Sequence, residues 1–227
     1  VNGLKELHID MAQVEGIFIS HEHSDHIAGL QQLLKRFDIP VYTKQGTWRE
    51  IQDKLIVPKN QLIELTKGSL TLGNLIVEPF AVSHDAADPI GINVFAGKDK
   101  TTVVTDTGVI SDSILRRMDD TTLLVLEANY DPHMLRFGPY QPFLKQRVAS
   151  DEGHLSNEMA AQALLMMNRP DFMQVILAHR SENNNNAVLV TQTIGKMLVD
   201  GGVRIGPEMK LQHGQPNEIV SMKSVKR

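Results

Sequence analysis

The chain has 227 residues, 41% of them hydrophobic and 22% charged, with a formal net charge of -4, the balance of a soluble globular protein with room for a substantial buried core. It contains no cysteine, which excludes a disulfide framework, thiolate ligands and iron–sulfur chemistry, so any metal site must be built from His, Asp and Glu. The negative balance gives no global attraction to nucleic acid, and no apolar run approaches the roughly 20 residues needed to span a bilayer. The N-terminus lacks the basic and apolar pattern of an export signal, so the cytoplasm is the expected compartment. No linker divides the chain, and one domain over residues 1–227 is expected.

Val14 to Ser20 reads as a buried strand through Ile17, Phe18 and Ile19, and it ends where polar His21 begins. From His26, the spacing of Ile27, Leu30, Leu33, Leu34 and Phe37 predicts a helix that ends before Pro40. Val41 to Thr43 is a further strand and Thr47 to Leu55 a helix. Strands follow near Leu62 to Leu65, Leu70 to Leu72 and Leu75 to Ala81, the last running into Ser83 and His84. Ile92 to Ala96 and Thr101 to Thr105 are read as adjacent strands around a polar turn from Gly97 to Lys100, with Asp106 directly after the second. Leu123 to Leu126 precedes Glu127, and Val175 to Leu177 stops just before Ala178 and His179. Helices are predicted over Ser156 to Met167 and Asn186 to Leu198. Alternating strands and helices point to an α/β class with sheets covered by helices.

The segment Ser20-His21-Glu22-His23-Ser24-Asp25-His26 packs three imidazoles and a carboxylate into a strand-to-helix junction. His21 and His23 point to one side of the departing strand, while Asp25 and His26 open the helix, so that four donors converge on two adjacent cations. A solvated polar turn would need no such cluster. Two cations about 3.5 to 4 Å apart can share a hydroxide, lower its pKa and neutralise charge on a phosphoryl transition state.

This segment resembles the signature of the metallo-β-lactamase superfamily, whose fold is a four-layer αβ/βα sandwich. The resemblance implies a lone His, a bridging Asp and a late His further along. His84 in Ser83-His84-Asp85, Asp106 in Thr105-Asp106-Thr107-Gly108 and His179 in Ala178-His179-Arg180-Ser181 match in order, each after a predicted strand. It further implies two divalent metal ions, Zn²⁺ or Mn²⁺ with Fe also accepted by such a cage. His21, His23 and His84 would hold one, Asp25, His26 and His179 the other, and Asp106 would bridge them.

Two more segments, Leu126-Glu127-Ala128-Asn129-Tyr130-Asp131 and Glu152-Gly153-His154-Leu155-Ser156-Asn157-Glu158, resemble the nuclease branches of the superfamily. There a Glu orients a His that protonates the leaving oxygen, roles that fall to Glu127 and His154. Asp25, Glu127 and His154 are thus the candidate catalytic side chains. With Ser83 to Gly91 and the Ala-His-x-Ser-x-x-Asn-Asn run, the pattern is similar to the YycJ/WalJ (VicX) family over nearly the whole chain. That likeness implies a bacterial 5′-to-3′ DNA exonuclease, with RNA a close second as substrate, linked to a cell-wall two-component system. The family opens with a strand pair and a Gly-Ser-x-Gly-Asn turn that should lie before Val1, so an N-terminal piece is expected to be missing. Tyr130 stands where a His is expected, and Arg180 where an apolar residue is. An Arg beside a metal ligand can contact a phosphate, as it can simply lie at the surface.

Other clusters are read more plainly. Arg136, Lys145 and Arg147, with Tyr140 and Phe143 between, form either a strand-binding groove or a solvated loop. Asn183 to Asn186 are expected to make a turn and a helix N-cap, and His8, His133 and His213 are given surface or structural roles. Two rival functions remain: a small-molecule hydrolase (lactonase, thioesterase or cyclic-nucleotide phosphodiesterase) with the same metal cage, and a regulatory binding module whose metals are structural.

Overall fold

The structure, a computed structural model, describes residues 1–66, 68–216 and 218–221. In chain order its elements are α1 (Asn2–Glu6), β1 (Ile17–Phe18), α2 (Ser24–Ile27), α3 (Leu30–Leu34), β2 (Val41–Thr43), α4 (Gln45–Lys54), β3 (Leu62–Glu64), β4 (Leu70–Leu72) and β5 (Leu75–Ala81). They continue with β6 (Ile90–Ala96), β7 (Asp99–Val104), α5 (Asp112–Met118), β8 (Leu123–Glu127), α6 (Pro132–Phe137), α7 (Pro142–Val148), α8 (Asn157–Met166), β9 (Met173–Ala178), α9 (Ala187–Asp200) and β10 (Met209–His213). Among the described residues no helix is long and apolar enough to cross a membrane.

Two sheets form. The smaller is β1-β2-β3, all parallel, and the larger has the order β10-β9-β8-β7-β6-β5-β4. Strands β7 to β10 run parallel, while β4 to β7 alternate antiparallel. The two-residue side-chain period of a strand sorts the core into layers. Ile17 and Ile19 pack with Leu30, Leu34, Trp48 and Ile51 from the helices over the small sheet. Their neighbours Phe18 and Tyr42, whose rings stack at 5.0 Å, turn to Ile90 and Ile92 of the large sheet. On its far face, Leu124, Leu126, Val175 and Leu177 bury against Ile114, Leu164, Ile194 and Leu198 of α5, α8 and α9. Helix, sheet, sheet, helix is the four-layer αβ/βα sandwich.

Strand direction decides where the connecting loops gather. β5 and β7 both run antiparallel to β6, and β8 and β9 run parallel to β7. The C-terminal ends of β5, β7, β8 and β9 therefore open at one edge of the large sheet. The carbonyl of Ser20 accepts from the Ile90 N–H at 3.1 Å, which ties the end of the small sheet's first strand to that assembly.

The helix expected from His26 through Phe37 is instead two short ones. It starts at Ser24, breaks at Ala28 and Gly29, and resumes at Leu30. Gly29 costs most at a helix interior, and Leu30 and Leu34 are buried whichever way the backbone is divided. The polar turn expected over Gly97 to Lys100 closes with two residues, Gly97 and Lys98, because Ala96 already pairs with Asp99. Gly97 supplies the positive φ of 63° that so tight a hairpin demands.

Candidate metal centre

His21, Glu22 and His23 leave β1 through a loop pinned from beneath. Ile19 donates its N–H to the Tyr42 carbonyl at 3.0 Å, and Thr43 Oγ1 donates to the Ile19 carbonyl at 2.7 Å. Glu22 turns away from the two imidazoles, is buried, and accepts from the Ala87 N–H at 2.8 Å. It thereby holds the loop that carries His84. Asp106 follows β7 and His179 follows β9, each in the left-handed region with φ of 57° and 51°. Such backbone costs a non-glycine residue on the order of 1 kcal/mol, and here it swings both side chains back over the sheet edge. Asn129 steadies the second of these turns, since its Nδ2 donates to the His179 carbonyl at 2.8 Å.

The structure brings all seven expected ligand residues together. Donor atoms of His21, His23 and His84 lie within 4.8 Å of one another, as do those of His21, His26 and Asp106, and those of Asp25, His26 and His179. His23 Nδ1 faces His84 Nε2 at 3.3 Å. That separation matches the edge of about 3.4 Å expected between two ligands on a tetrahedral cation with arms of 2.0–2.1 Å. Asp106 stands between the groups, with Oδ2 at 3.5 Å from His26 Nε2 and Oδ1 at 3.3 Å from His179 Nε2 and 3.8 Å from His84 Nε2. His21 Nε2 and Asp106 Oδ2 are buried with no hydrogen-bond partner among the described residues. Buried donors and acceptors are nearly always satisfied, so orphaned atoms on two residues whose ligand atoms lie within 4.8 Å of one another are what a cation would complete.

The electrostatics agree. Burial and the neighbouring His26 push His21 down to about 3, leaving a neutral imidazole with a free lone pair, and burial also lowers His84. Asp25 is held below the ordinary carboxylate range, chiefly by its hydrogen bond with His179. Burial opposes the charge of Asp106, yet His26, His179 and His21 outweigh it and lower its pKa. His179 runs the other way: burial alone would lower it, but Asp25 and Glu127 with Asp106 push it up to about 10. A pocket that attracts a proton this strongly favours any small cation, and a divalent ion competes for the same lone pair.

Glu127, the last residue of β8, is fully buried. Its Oε2 accepts from His179 Nδ1 at 2.6 Å, from His154 Nδ1 at 2.8 Å and from the Asp106 N–H at 3.3 Å, and its Oε1 accepts from the Leu155 N–H at 2.8 Å. Burial disfavours the carboxylate, but the bonds from His154 and His179 hold it ionised and its pKa low. Because His154 spends Nδ1 on Glu127, Nε2 is left for the cleft that His154 lines. The expected pairing of Glu127 with His154 is present in the geometry. Its still shorter bond to His179 had no signal in the sequence, and it makes one carboxylate the orienting partner of both imidazoles.

Three further side chains were not singled out from the sequence. Ser20 Oγ lies 3.1 Å from His21 Nδ1 and 3.2 Å from His26 Nδ1, so one hydroxyl orients two of the imidazoles. Its place directly before the His cluster was the available clue. Asp85 has Oδ1 at 3.5 Å from His84 Nε2 while its other oxygen accepts from Arg147 Nε. That pairing draws Arg147 away from the basic cluster in which the sequence grouped it, and Lys145 bonds the Arg136 carbonyl at 2.8 Å. The third is Asn129, with its bond to the His179 carbonyl. Asn186 caps α9 as expected, its Oδ1 accepting from the Leu189 N–H at 3.0 Å, whereas Asn184 and Asn185 are buried. Asn185 binds the Ala128 carbonyl and the side chain of Asn157. Tyr130 is buried with Leu135 and Val148.

His154 is set by a glycine. A Cβ on Gly153 would lie 2.2 Å from the Arg147 carbonyl oxygen and 2.3 Å from that of Val148. The backbone must therefore pass closer to α7 than any other residue permits. Gly153→Ala is expected to destabilise the fold by about 1–3 kcal/mol, the usual cost of overpacking, and to displace the His154 turn; urea unfolding midpoints and residual turnover are the measurements. A variant as stable and as active as the parent would show that the turn is pliable.

The beta-lactamase superfamily domain matches residues 4–179 of this chain. Among curated proteins, it is 34% identical to exodeoxyribonuclease YycJ of Bacillus anthracis over 214 residues, 93% of this chain and 81% of that protein. It is 31% identical to exodeoxyribonuclease WalJ of Streptococcus pneumoniae serotype 2 over 219 residues, 94% and 81% of the two chains. Among solved structures, the metallo-beta-lactamase fold protein YhfI of Bacillus subtilis superposes with a TM-score of 0.64 at 17% identity, covering 87% of this chain and 75% of that one. Human tRNase Z, short form, gives 0.54 at 20% identity, covering 79% and 77%. These likenesses establish the shared fold, and the sequence matches go further: the chain belongs to the β-lactamase superfamily and, within it, to the family of the YycJ and WalJ proteins.

Proposed function

We propose that the chain is a metal-dependent exodeoxyribonuclease in which His21, His23 and His84 hold one divalent cation, Asp25, His26 and His179 a second, and Asp106 bridges the two. The observation that carries the reading is the buried Glu127, bonded at once to His154 and to His179. It couples a proton-donating imidazole to the cation cluster. A small-molecule hydrolase needs the cluster but not that coupling. Bound in these positions, Zn²⁺ or Mn²⁺ supplies water acidified to near neutrality and charge to offset the phosphoryl group.

The chain's own residues do the rest. Asp25, Asp85, Asp106 and Glu127 all face imidazoles of the cluster, with Asp85 offset by Arg147 and Glu127 by the two rings it binds, so it is the cations, once bound, that would draw an anionic phosphate. Glu127 fixes the His154 ring through Nδ1, and Nε2 of that ring delivers a proton to the departing sugar oxygen. Asp25 serves both as ligand and, beside the reacting phosphate, as a catalytic carboxylate. The resemblance to YycJ and WalJ carries two finer expectations, 5′-to-3′ direction and a working link to a cell-wall two-component system, and the sequence's lack of an export signal pattern and of cysteine supports a cytoplasmic setting.

The test is cation removal and return. Chelation is expected to abolish release of nucleotides from 5′-labelled single-stranded DNA, and added Mn²⁺ or Zn²⁺ to restore it, with two equivalents bound per chain by elemental analysis. Restored activity toward esters or lactones without any on DNA would identify a small-molecule hydrolase. A protein that binds cations yet turns over none of these would be a binding module.

A further inference from the structure

Arg180 follows His179 directly and lines a cavity of about 910 Å³ whose wall also includes His154, Tyr140 and Asn186. Its Nη1 is closed off from solvent and has no hydrogen-bond partner among the described residues. The other guanidinium on this cavity, Arg147, is already neutralised by Asp85. Glu182 stands on the same wall, but among the described residues no carboxylate pairs with Arg180. A guanidinium N–H with no acceptor is costly, and a turn of this half-buried side chain toward the cavity it lines lets a ligand supply the missing oxygen. The fork of N–H groups fits the two oxygens of a phosphate, and the positive end of the 14-residue α9, whose first residue Ala187 also lines the cavity, adds to the same field.

Resting on the nuclease reading, we infer that Arg180 grips a second phosphate of the substrate strand, flanking the one under attack at His154. It is a positioning and specificity residue, since it meets a part of the strand that does not react. Binding energy gained there favours polynucleotides over small phosphodiesters carrying the same scissile bond.

The experiment compares the cation-loaded parent with Arg180→Gln and Arg180→Lys on a short single-stranded oligonucleotide and on bis(p-nitrophenyl) phosphate, which has no second phosphate. Arg180→Gln is expected to lower the ratio of kcat/KM for oligonucleotide over small diester at least tenfold, mainly through KM. The slope of log kcat/KM against log salt should shrink by about 0.7, the share of one single-strand phosphate contact. Arg180→Lys should keep that slope while recovering only part of the ratio, because it carries the charge without the planar fork. Running the oligonucleotide with and without a 5′-phosphate identifies the partner. Dependence on Arg180 that vanishes with the 5′-phosphate points to the terminal monoester, and dependence that survives points to an internal diester. Equal losses on both substrates, or an unchanged salt slope, would overturn the inference. A parent that spares DNA altogether would overturn the nuclease reading itself, a result that the parent alone reveals.

Discussion

His154→Ala is expected to lower kcat on DNA by 10² to 10⁴, the usual worth of a positioned general acid, while the protein keeps its full complement of cations. The separation follows from connectivity. The His154 ring lies beside those of His84 and His179, 5.1 and 5.3 Å between centroids, but its hydrogen bond runs to Glu127, which accepts from His154 Nδ1 at 2.8 Å and from His179 Nδ1 at 2.6 Å, so removing the His154 ring leaves the other bond in place. His84→Ala is the contrasting variant. His84 Nε2 sits 3.3 Å from His23 Nδ1 and 3.8 Å from Asp106 Oδ1, inside the donor set, so its loss should remove cation and turnover together. The leaving group provides a sharper arm. A departing p-nitrophenolate needs no proton, so His154→Ala should be far less impaired on p-nitrophenyl diesters than on DNA, whereas His84→Ala should be impaired on both alike. Elemental analysis and the two turnover numbers decide it; undiminished DNA turnover in His154→Ala would remove that residue from the chemistry.

Much of the site was legible because β-branched and apolar runs stop abruptly at polar residues. Ile17 to Ile19, Leu75 to Ala81, Leu123 to Leu126 and Val175 to Leu177 each mark a strand, and the residue types after them mark the edge where ligands gather. The order of the strands was not legible. That β5, β7, β8 and β9 all run in one direction, and so deliver His84, Asp106, Glu127 and His179 to the same edge, is a property of pairing between segments far apart in the chain. The orienting side chains were hidden for the same reason. Glu22 meets Ala87 and Asp85 meets Arg147 across more than sixty residues, and nothing local distinguishes either carboxylate from a solvated one. α6 and α7 escaped because each is short and opens on a proline, so the period of 3.6 has little length in which to appear. β10 escaped because its five residues include only two large apolar ones, and its identity as a strand comes from lying beside β9.

Glu127→Gln should be the most damaging isosteric change in the chain, and for reasons that the amide makes plain. Four donors converge on the carboxylate: the rings of His154 and His179 and the backbone N–H groups of Asp106 and Leu155. A glutamine offers one acceptor oxygen and one NH₂. With the oxygen turned to the rings, the NH₂ confronts the Leu155 N–H; with it turned to Leu155, the NH₂ confronts two imidazoles and Asp106. Either rotamer leaves a buried donor facing a donor, at a cost of about 1–3 kcal/mol for each group left unpaired. Chemical denaturation should register that loss. Cation affinity should fall about 10- to 100-fold, the usual effect of removing the partner that orients a ligating imidazole, and kcat should fall as His154 loses its anchor. The double variant then separates the two arms of Glu127. In a His154→Ala background, Glu127→Gln should cost little further kcat on DNA at saturating cation, because the imidazole it served is gone, yet it should still weaken cation binding through His179. If instead the losses in kcat multiply in full, or if cation affinity is untouched, Glu127 is not the hinge between proton donor and cation cluster that its hydrogen bonds describe.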